Sequence, residues 1–187
     1  MDDEYMFQIT LIGGTNSGKS TFIQNYFHGY IYSKDINEYR ASANLEFNRK
    51  YIDFYKKNIR IDFLDFPGTN QRQNFRKFFL ANSVIIFLFY ESSNRALFQR
   101  AKELFDITKD TLDINEVIYV LINSKYDLYT KAEDNIDNIS EEEALEFTSE
   151  NNMLFAHLSI AEKYANGINE LLNKALKEFF KRKNIFW

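Results

Sequence analysis

Eight consecutive residues, Gly13-Gly14-Thr15-Asn16-Ser17-Gly18-Lys19-Ser20, fit the pattern G-x-x-x-x-G-K-[ST] in full. An oligophosphate is a dense anion, and backbone N–H groups at a helix N-terminus can surround it. Glycines at 13 and 18 allow the close backbone approach this requires. Thr15, Asn16 and Ser17 supply amides between them. Lys19 would carry a point charge to the β- and γ-phosphates, and Ser20 would offer its hydroxyl to Mg²⁺, with Thr21 continuing into the helix. A glycine-rich turn that only caps a helix does not need lysine followed by serine. The loop specifies a nucleoside triphosphate and leaves the base open.

Two further groups of residues complete such a site. Asp65-Phe66-Pro67-Gly68 follows the apolar run Ile61-Asp62-Phe63-Leu64. An aspartate at a strand end beside the phosphate loop can hold Mg²⁺ through water, and Gly68 would leave its N–H free to approach the γ-phosphate. Farther on, Val120-Leu121-Ile122-Asn123-Ser124-Lys125-Tyr126-Asp127 closes another apolar run. Guanine offers two donors, N1–H and the N2 amine, and one carboxylate accepts from both. Adenine lacks that pattern. Asp127 is the candidate reader, with the stem of Lys125 along the purine ring. Ser124 stands where an asparagine is usual, which predicts some loss of affinity. After a last apolar run, Ser159, Ile160 and Ala161 would present a backbone N–H to guanine O6.

Positioning these groups requires strands and helices in alternation. Strands are expected over Tyr5–Ile12, Leu45–Tyr55, Ile59–Leu64, Val84–Tyr90, Val117–Ile122 and Met153–Leu158, from their β-branched and aromatic content. Lys56-Lys57-Asn58 would turn the second into the third as a hairpin. Helices are expected over Ser20–Phe27, Phe75–Leu80, Ala96–Thr108 and Ile168–Phe180, and one starts at Ser140-Glu141-Glu142-Glu143, where Ser140 can cap and Glu143 follows three residues later. The fold class is therefore α/β: a six-stranded, mostly parallel sheet with one antiparallel edge strand, flanked by helices, in a single domain over 1–187. Val84–Tyr90 reads as a strand buried on both faces, because crossing a bilayer takes ~20 apolar residues.

Composition narrows the classes. With 187 residues, 45% hydrophobic and 27% charged, the chain can bury a core of its own. A net charge of −4 gives no electrostatic footprint for nucleic acid. Cys 0 rules out a disulfide, a thiolate metal site and a prenyl anchor on this chain. The acidic start Met1-Asp2-Asp3-Glu4 is not a signal peptide. A cytoplasmic monomer is expected, recruited to membranes through partners. His28 and His157 are isolated, and His157 reads as a core or edge residue of a strand.

With its motifs in this order, the sequence resembles the Ras superfamily of P-loop GTPases over nearly its whole length, and the Rab branch most of all. Ser42-Ala43-Asn44-Leu45-Glu46-Phe47 is similar to the Rab strand-opening motif S/T-I-G-V-D-F. The resemblance implies the small G-protein fold, GTP or GDP with Mg²⁺ as ligands, and Ser42 in place of the switch I threonine that reaches the metal and the γ-phosphate. It implies exchange factors, activating proteins and effectors as partners, with Phe47, Leu64 and Phe79 as an effector-facing trio; simple core packing explains the same three equally well. Tyr30 or Tyr32 would stack on guanine. Asp65-Phe66-Pro67-Gly68 is also similar to Rag GTPases.

One departure bears on catalysis. Thr69 replaces the glutamine that orients attacking water in the family, and it is too short for that task. Lys19 and Gly68 remain as groups facing the reacting phosphate. Slow hydrolysis is expected unless Gln71, Gln73 or a partner's residue substitutes. Two functions follow: a slow GTP/GDP switch, or a non-hydrolysing nucleotide-binding scaffold. An ATP-dependent P-loop kinase would need an Arg-rich lid that this sequence lacks, and would leave Asp127 unexplained.

Overall fold

The computed structural model describes residues 5–28, 45–68, 79–125, 138–159 and 165–185. The alternation of apolar runs and helical patterns yields, in chain order, β1 (Tyr5–Gly13), α1 (Lys19–His28), β2 (Glu46–Phe54), β3 (Lys57–Asp65), β4 (Ser83–Glu91), α2 (Arg95–Lys109), β5 (Ile118–Ser124), α3 (Glu141–Glu150), β6 (Leu154–Leu158) and α4 (Ala165–Arg182). Of the expected helix over Phe75–Leu80, Phe79 and Leu80 are described and are helical, and the rest lies outside the described residues.

The strands form one sheet in the order β2-β3-β1-β4-β5-β6. All neighbours pair in parallel except β2, which runs antiparallel to β3 at the edge. The sheet is therefore the expected six-stranded one. Parallel pairing brings the carboxyl ends of β1, β3, β4, β5 and β6 to one border, where ligands of open α/β sheets bind.

Side-chain alternation divides the interior into two cores. Ile85, Phe87 and Phe89 of β4 join α1 and α4 on one face, while Ile86, Leu88 and Tyr90 join α2 and α3 on the other. Burial on both faces explains why this strand is apolar without alternation. Phe22 of α1 meets Phe87 and Phe89 edge-on at 5.7 and 5.6 Å, and Phe7 of β1 meets Phe179 and Phe180 of α4 at 5.4 and 5.5 Å. Such pairs add about 0.5–1.5 kcal/mol each beyond area burial. At the start of α3, Ser140 Oγ accepts from Glu143 N at 3.2 Å, the expected cap. Among the described residues no helix is long and apolar enough to cross a membrane.

The hairpin turn differs from its expected place. Lys57 already belongs to β3 and pairs with Phe54, so the turn is Tyr55-Lys56. Both residues have positive φ, 52° and 62°. Two-residue hairpin turns need that conformation because their twist matches the strands, and they usually use Asn or Gly. With neither present, the turn carries no composition signal. Asp53 Oδ1 accepts from Lys56 N at 3.1 Å and holds it closed. Lys56→Gly should therefore stabilise the chain by about 0.5–1 kcal/mol, since glycine reaches this φ without strain. An unchanged or lower urea midpoint for the variant would show that the turn is not strained.

Candidate functional site

Gly13 ends β1, the phosphate-loop motif follows, and α1 begins at Lys19. The loop is tightly built. A Cβ on Gly13 would lie 2.7 Å from the Phe89 carbonyl oxygen, and Gly18 adopts φ 90°, so both positions require glycine. Asn16 also has positive φ, 65°. The ammonium of Lys19 is buried and donates to Gly13 O at 3.0 Å, Gly14 O at 2.9 Å and Ser17 Oγ at 3.3 Å. The charge is thus folded back over the loop. Thr15 and Asn16 are exposed, and Ser20 and Thr21 are half-buried in the first turn of α1.

β3 lies beside β1 and carries Asp65 to the loop. Ser20 Oγ donates to Asp65 Oδ2 at 2.8 Å. Asp65 Oδ1 is buried and accepts no hydrogen bond from the described residues. Burial pushes the Asp65 carboxyl up to about 6, against the opposing pull of Ser20 and Lys19 and with help from the Glu46 charge. A hydroxyl and a carboxylate with an open oxygen, next to a phosphate loop, fit the hard oxygen chemistry of Mg²⁺. Ser20 and Asp65 are the residues that would hold it.

The raised carboxyl has a measurable consequence. A folded-state pKa above the unfolded value means that the folded chain holds its proton more tightly. That contribution to stability is complete below about 4 and is lost as the pH rises through about 6. In EDTA and without nucleotide, Asp65→Asn should therefore melt higher than the wild-type chain at pH 7.5, by a margin worth about 1–3 kcal/mol. The margin should shrink toward zero at pH 4.5. A margin that does not change with pH would mean the carboxylate is solvated.

Beyond Asp65, Phe66 N donates to Leu11 O at 3.1 Å, and its ring is buried. Gly68 then presses on the phosphate loop: a Cβ there would lie 2.3 Å from Thr15 N and 2.5 Å from Thr15 Cα. The second constellation is thus packed against the first.

β5 brings the third. Ser124 is fully buried, and its Oγ lies 2.8 Å from Ser17 O and 2.9 Å from Tyr90 O, sharing one proton between the two carbonyls. The hydroxyl ties the phosphate loop to the strand ends. Asn123, its neighbour, points to the opposite face. There its Oδ1 accepts from Ser92 N at 3.2 Å and its Nδ2 meets His157 Nδ1 at 3.3 Å. It therefore does not substitute for the amide missing at 124. Lys125 has φ 56°, and its ammonium donates to Glu91 Oε2 at 2.7 Å. Ser159 follows β6 on the same border. His157 is an edge-strand residue, 3.5 Å from Glu141 Oε1.

Ser42, Thr69, Asp127, Ile160 and Ala161 lie outside the described residues, as do Tyr30, Tyr32, Gln71 and Gln73. Of the expected effector-facing trio, Phe47 is 55% exposed, Phe79 is half-buried and packs on Phe66, and Leu64 is only 2% exposed. Leu64 is a core residue, because the α2-side core closes over its end of β3. Glu91 was not singled out by the sequence. A charged residue directly after the apolar run of β4 was its one signal.

The comparisons agree with this geometry. The sequence profile of the Ras family matches residues 8–181. The chain is 24% identical over 179 residues to the GTP-binding protein ypt3 of Schizosaccharomyces pombe, covering 95% of this chain and 78% of the relative. It is 22% identical over 185 residues to the Ras-related protein Rab-39A of Mus musculus, covering 97% and 82%. It is 22% identical over 180 residues to the Ras-related protein RABA1e of Arabidopsis thaliana, covering 96% and 77%. A phosphate-loop motif at the end of β1, an acidic residue beside it on β3 and a profile match over residues 8–181 converge on one assignment: this chain belongs to the Ras family.

Proposed function

We propose that the chain is a Rab-like molecular switch: a single domain that binds GTP or GDP with Mg²⁺, hydrolyses GTP slowly, and serves regulation of the vesicle-trafficking or signalling type. The observation that carries this reading is physical contact among the three motifs. Gly68 abuts Thr15, Ser20 bonds Asp65, and Ser124 bonds Ser17. Support for the reading is that Gly68, Ser20 with Asp65, and Ser124 all meet the loop of residues 13–20 at one border of the sheet.

In this reading Lys19 leaves the loop carbonyls for the β- and γ-phosphates, and the amides of residues 13–20 supply the remaining donors. Mg²⁺, when bound, neutralises charge on the phosphate oxygens. Asp127 reads guanine, beside the Lys125 stem and the amides of Ser159–Ala161. Hydrolysis transfers the γ-phosphoryl group to water, giving GDP and inorganic phosphate. Thr69 positions that water poorly, which makes the step slow. Ser42 and the segments around it and Thr69 respond to the γ-phosphate and present the result to exchange factors, activating proteins and effectors. Phe47 is the best exposed candidate for effector contact. The protein acts as a cytoplasmic monomer and reaches membranes through its partners.

Thr69 also supports a second reading, a scaffold that binds nucleotide without turning it over. Two measurements decide. GDP should raise the melting temperature at concentrations where ADP does not; equal stabilisation by both would remove guanine recognition, and none by either would remove the nucleotide site. Single-turnover GTP cleavage should be slow but measurable with Mg²⁺. No cleavage over days would favour the scaffold, and cleavage as fast as in a glutamine-bearing relative would refute the role given to Thr69.

A further inference from the structure

We infer that Glu91 is a positioning residue of the nucleotide site: it anchors the ammonium of Lys125 and thereby fixes the lysine stem for the purine. The inference rests on the nucleotide-binding reading above.

Glu91 is the last residue of β4 and pairs in register with Ser124, the last residue of β5. In a parallel sheet, paired residues point to the same face. Glu91 therefore continues the Ile85, Phe87, Phe89 series on the face of the sheet that carries α1. Two residues before it, Phe89 pairs with Gly13 at the start of the phosphate loop. Its carboxylate consequently stands at the border where the three motifs meet. It is largely buried, with a side chain 16% exposed, and both of its oxygens are engaged. Oε2 accepts from Lys125 Nζ at 2.7 Å, and Oε1 accepts from Ser93 Oγ at 2.8 Å.

Two consequences follow for an anionic ligand. A carboxylate beside a polyphosphate site repels the ligand unless it is neutralised, and Lys125 neutralises it. A lysine stem has four rotatable bonds, and one with both ends fixed loses less freedom when a purine packs on it. The backbone of Lys125 is held by the strand end at φ 56°, and its ammonium by Glu91. Glu91 thus converts a flexible side chain into a prepared surface. Ser93, by holding the other oxygen, keeps the carboxylate from rotating away.

The test is the binding and release of a fluorescent GDP derivative with Mg²⁺, for the full chain and the variants Glu91→Gln, Glu91→Asp, Lys125→Met and Glu91→Gln/Lys125→Met. Glu91→Gln should weaken binding about 5–10-fold, with the change in the release rate and association equal or faster, since a negative charge has been removed. Glu91→Asp, which keeps the charge, should recover most of the loss. Lys125→Met should lose more than Glu91→Gln, because it leaves the carboxylate bare. The double variant should bind more tightly than Lys125→Met alone. The inference is overturned if Glu91→Gln binds within about twofold of wild type, or if the two single losses simply multiply in the double variant. Should Glu91→Gln not fold, Lys125→Met within about twofold of wild type overturns it equally. If the wild-type chain binds no GDP, the nucleotide reading itself falls and takes this inference with it, an outcome distinct from loss of coupling in a chain that binds.

Discussion

A Lys19→Met protein is expected to bind GDP at least about 100-fold more weakly than the wild-type chain, a loss of roughly 2.7 kcal/mol, while its nucleotide-free melting temperature hardly moves. The two halves of this result have different causes. In the absence of ligand Lys19 is 5% exposed, and its ammonium donates to three neutral acceptors, Gly13 O, Gly14 O and Ser17 Oγ. Removing it relieves a buried charge, deprives two carbonyls of a donor and takes its pull off the Asp65 carboxyl. These terms oppose each other and are each of order 1–3 kcal/mol. With ligand, the same ammonium exchanges neutral acceptors for anionic ones, and charge-assisted bonds are about twice as strong. Methionine keeps the stem and its packing, so the comparison isolates the charge. Affinity within about fivefold of wild type would show that the loop amides alone bind the phosphates.

Gly68→Ala should lower the melting temperature by roughly 4–8 °C, corresponding to about 2 kcal/mol of overpacking. The added methyl would sit 2.3 Å from Thr15 N and 2.6 Å from Gly14 C. These are backbone atoms of a loop already held by Lys19 and Ser124, so no flexible side chain can yield. The opposite sign is expected for Gly167→Ala in the first turn of α4, where the nearest atom to a new Cβ is Leu158 Cδ2 at 3.5 Å, an ordinary contact. There the gain in helix propensity should raise stability by about 0.5–1 kcal/mol. If Gly68→Ala melts like wild type, the Asp65–Gly68 segment lifts from the phosphate loop at little cost, and the contact is not part of the site's architecture.

Most of the framework was legible because it rests on local rules. The uninterrupted apolar run of β4 reads as a strand covered on both faces, the helical spacing of Ala101, Leu104 and Phe105 faces one core, with Phe98 rather than Leu97 completing it, and Ser140 announced its own helix. The phosphate loop was legible for a related reason: its residue types have no purpose in a plain turn. What escaped depends on tertiary contact. Tyr55-Lys56 turns the hairpin with residues that give no turn signal, because the register of β2 against β3 overrides their preference. Leu64 reads equally as effector-facing or as core, and helix packing decides for the core. Ser124 reads as a base contact with a weaker side chain, whereas its hydroxyl is spent on the Ser17 and Tyr90 carbonyls. Its pairing with the loop, like that of Glu91 with Lys125, joins residues 107 and 34 positions apart, and no pattern within one segment can show it.

The two-sided burial of β4 sets an order in which the molecule exchanges backbone hydrogens with deuterated water. Ile85 to Tyr90 are each at most 1% exposed, and their amides lie between β1 and β5. Solvent reaches them only when both cores part, so their protection should equal the free energy of global unfolding. β2, an edge strand of the described sheet with alternate residues exposed, gives only Phe54 as a buried member of a core and should label early. The phosphate loop and the Glu91–Lys125 pair are thus mounted on the slowest-exchanging strands, while the face carrying Phe47 sits on the fastest, and ligand-induced protection should be sought in the latter.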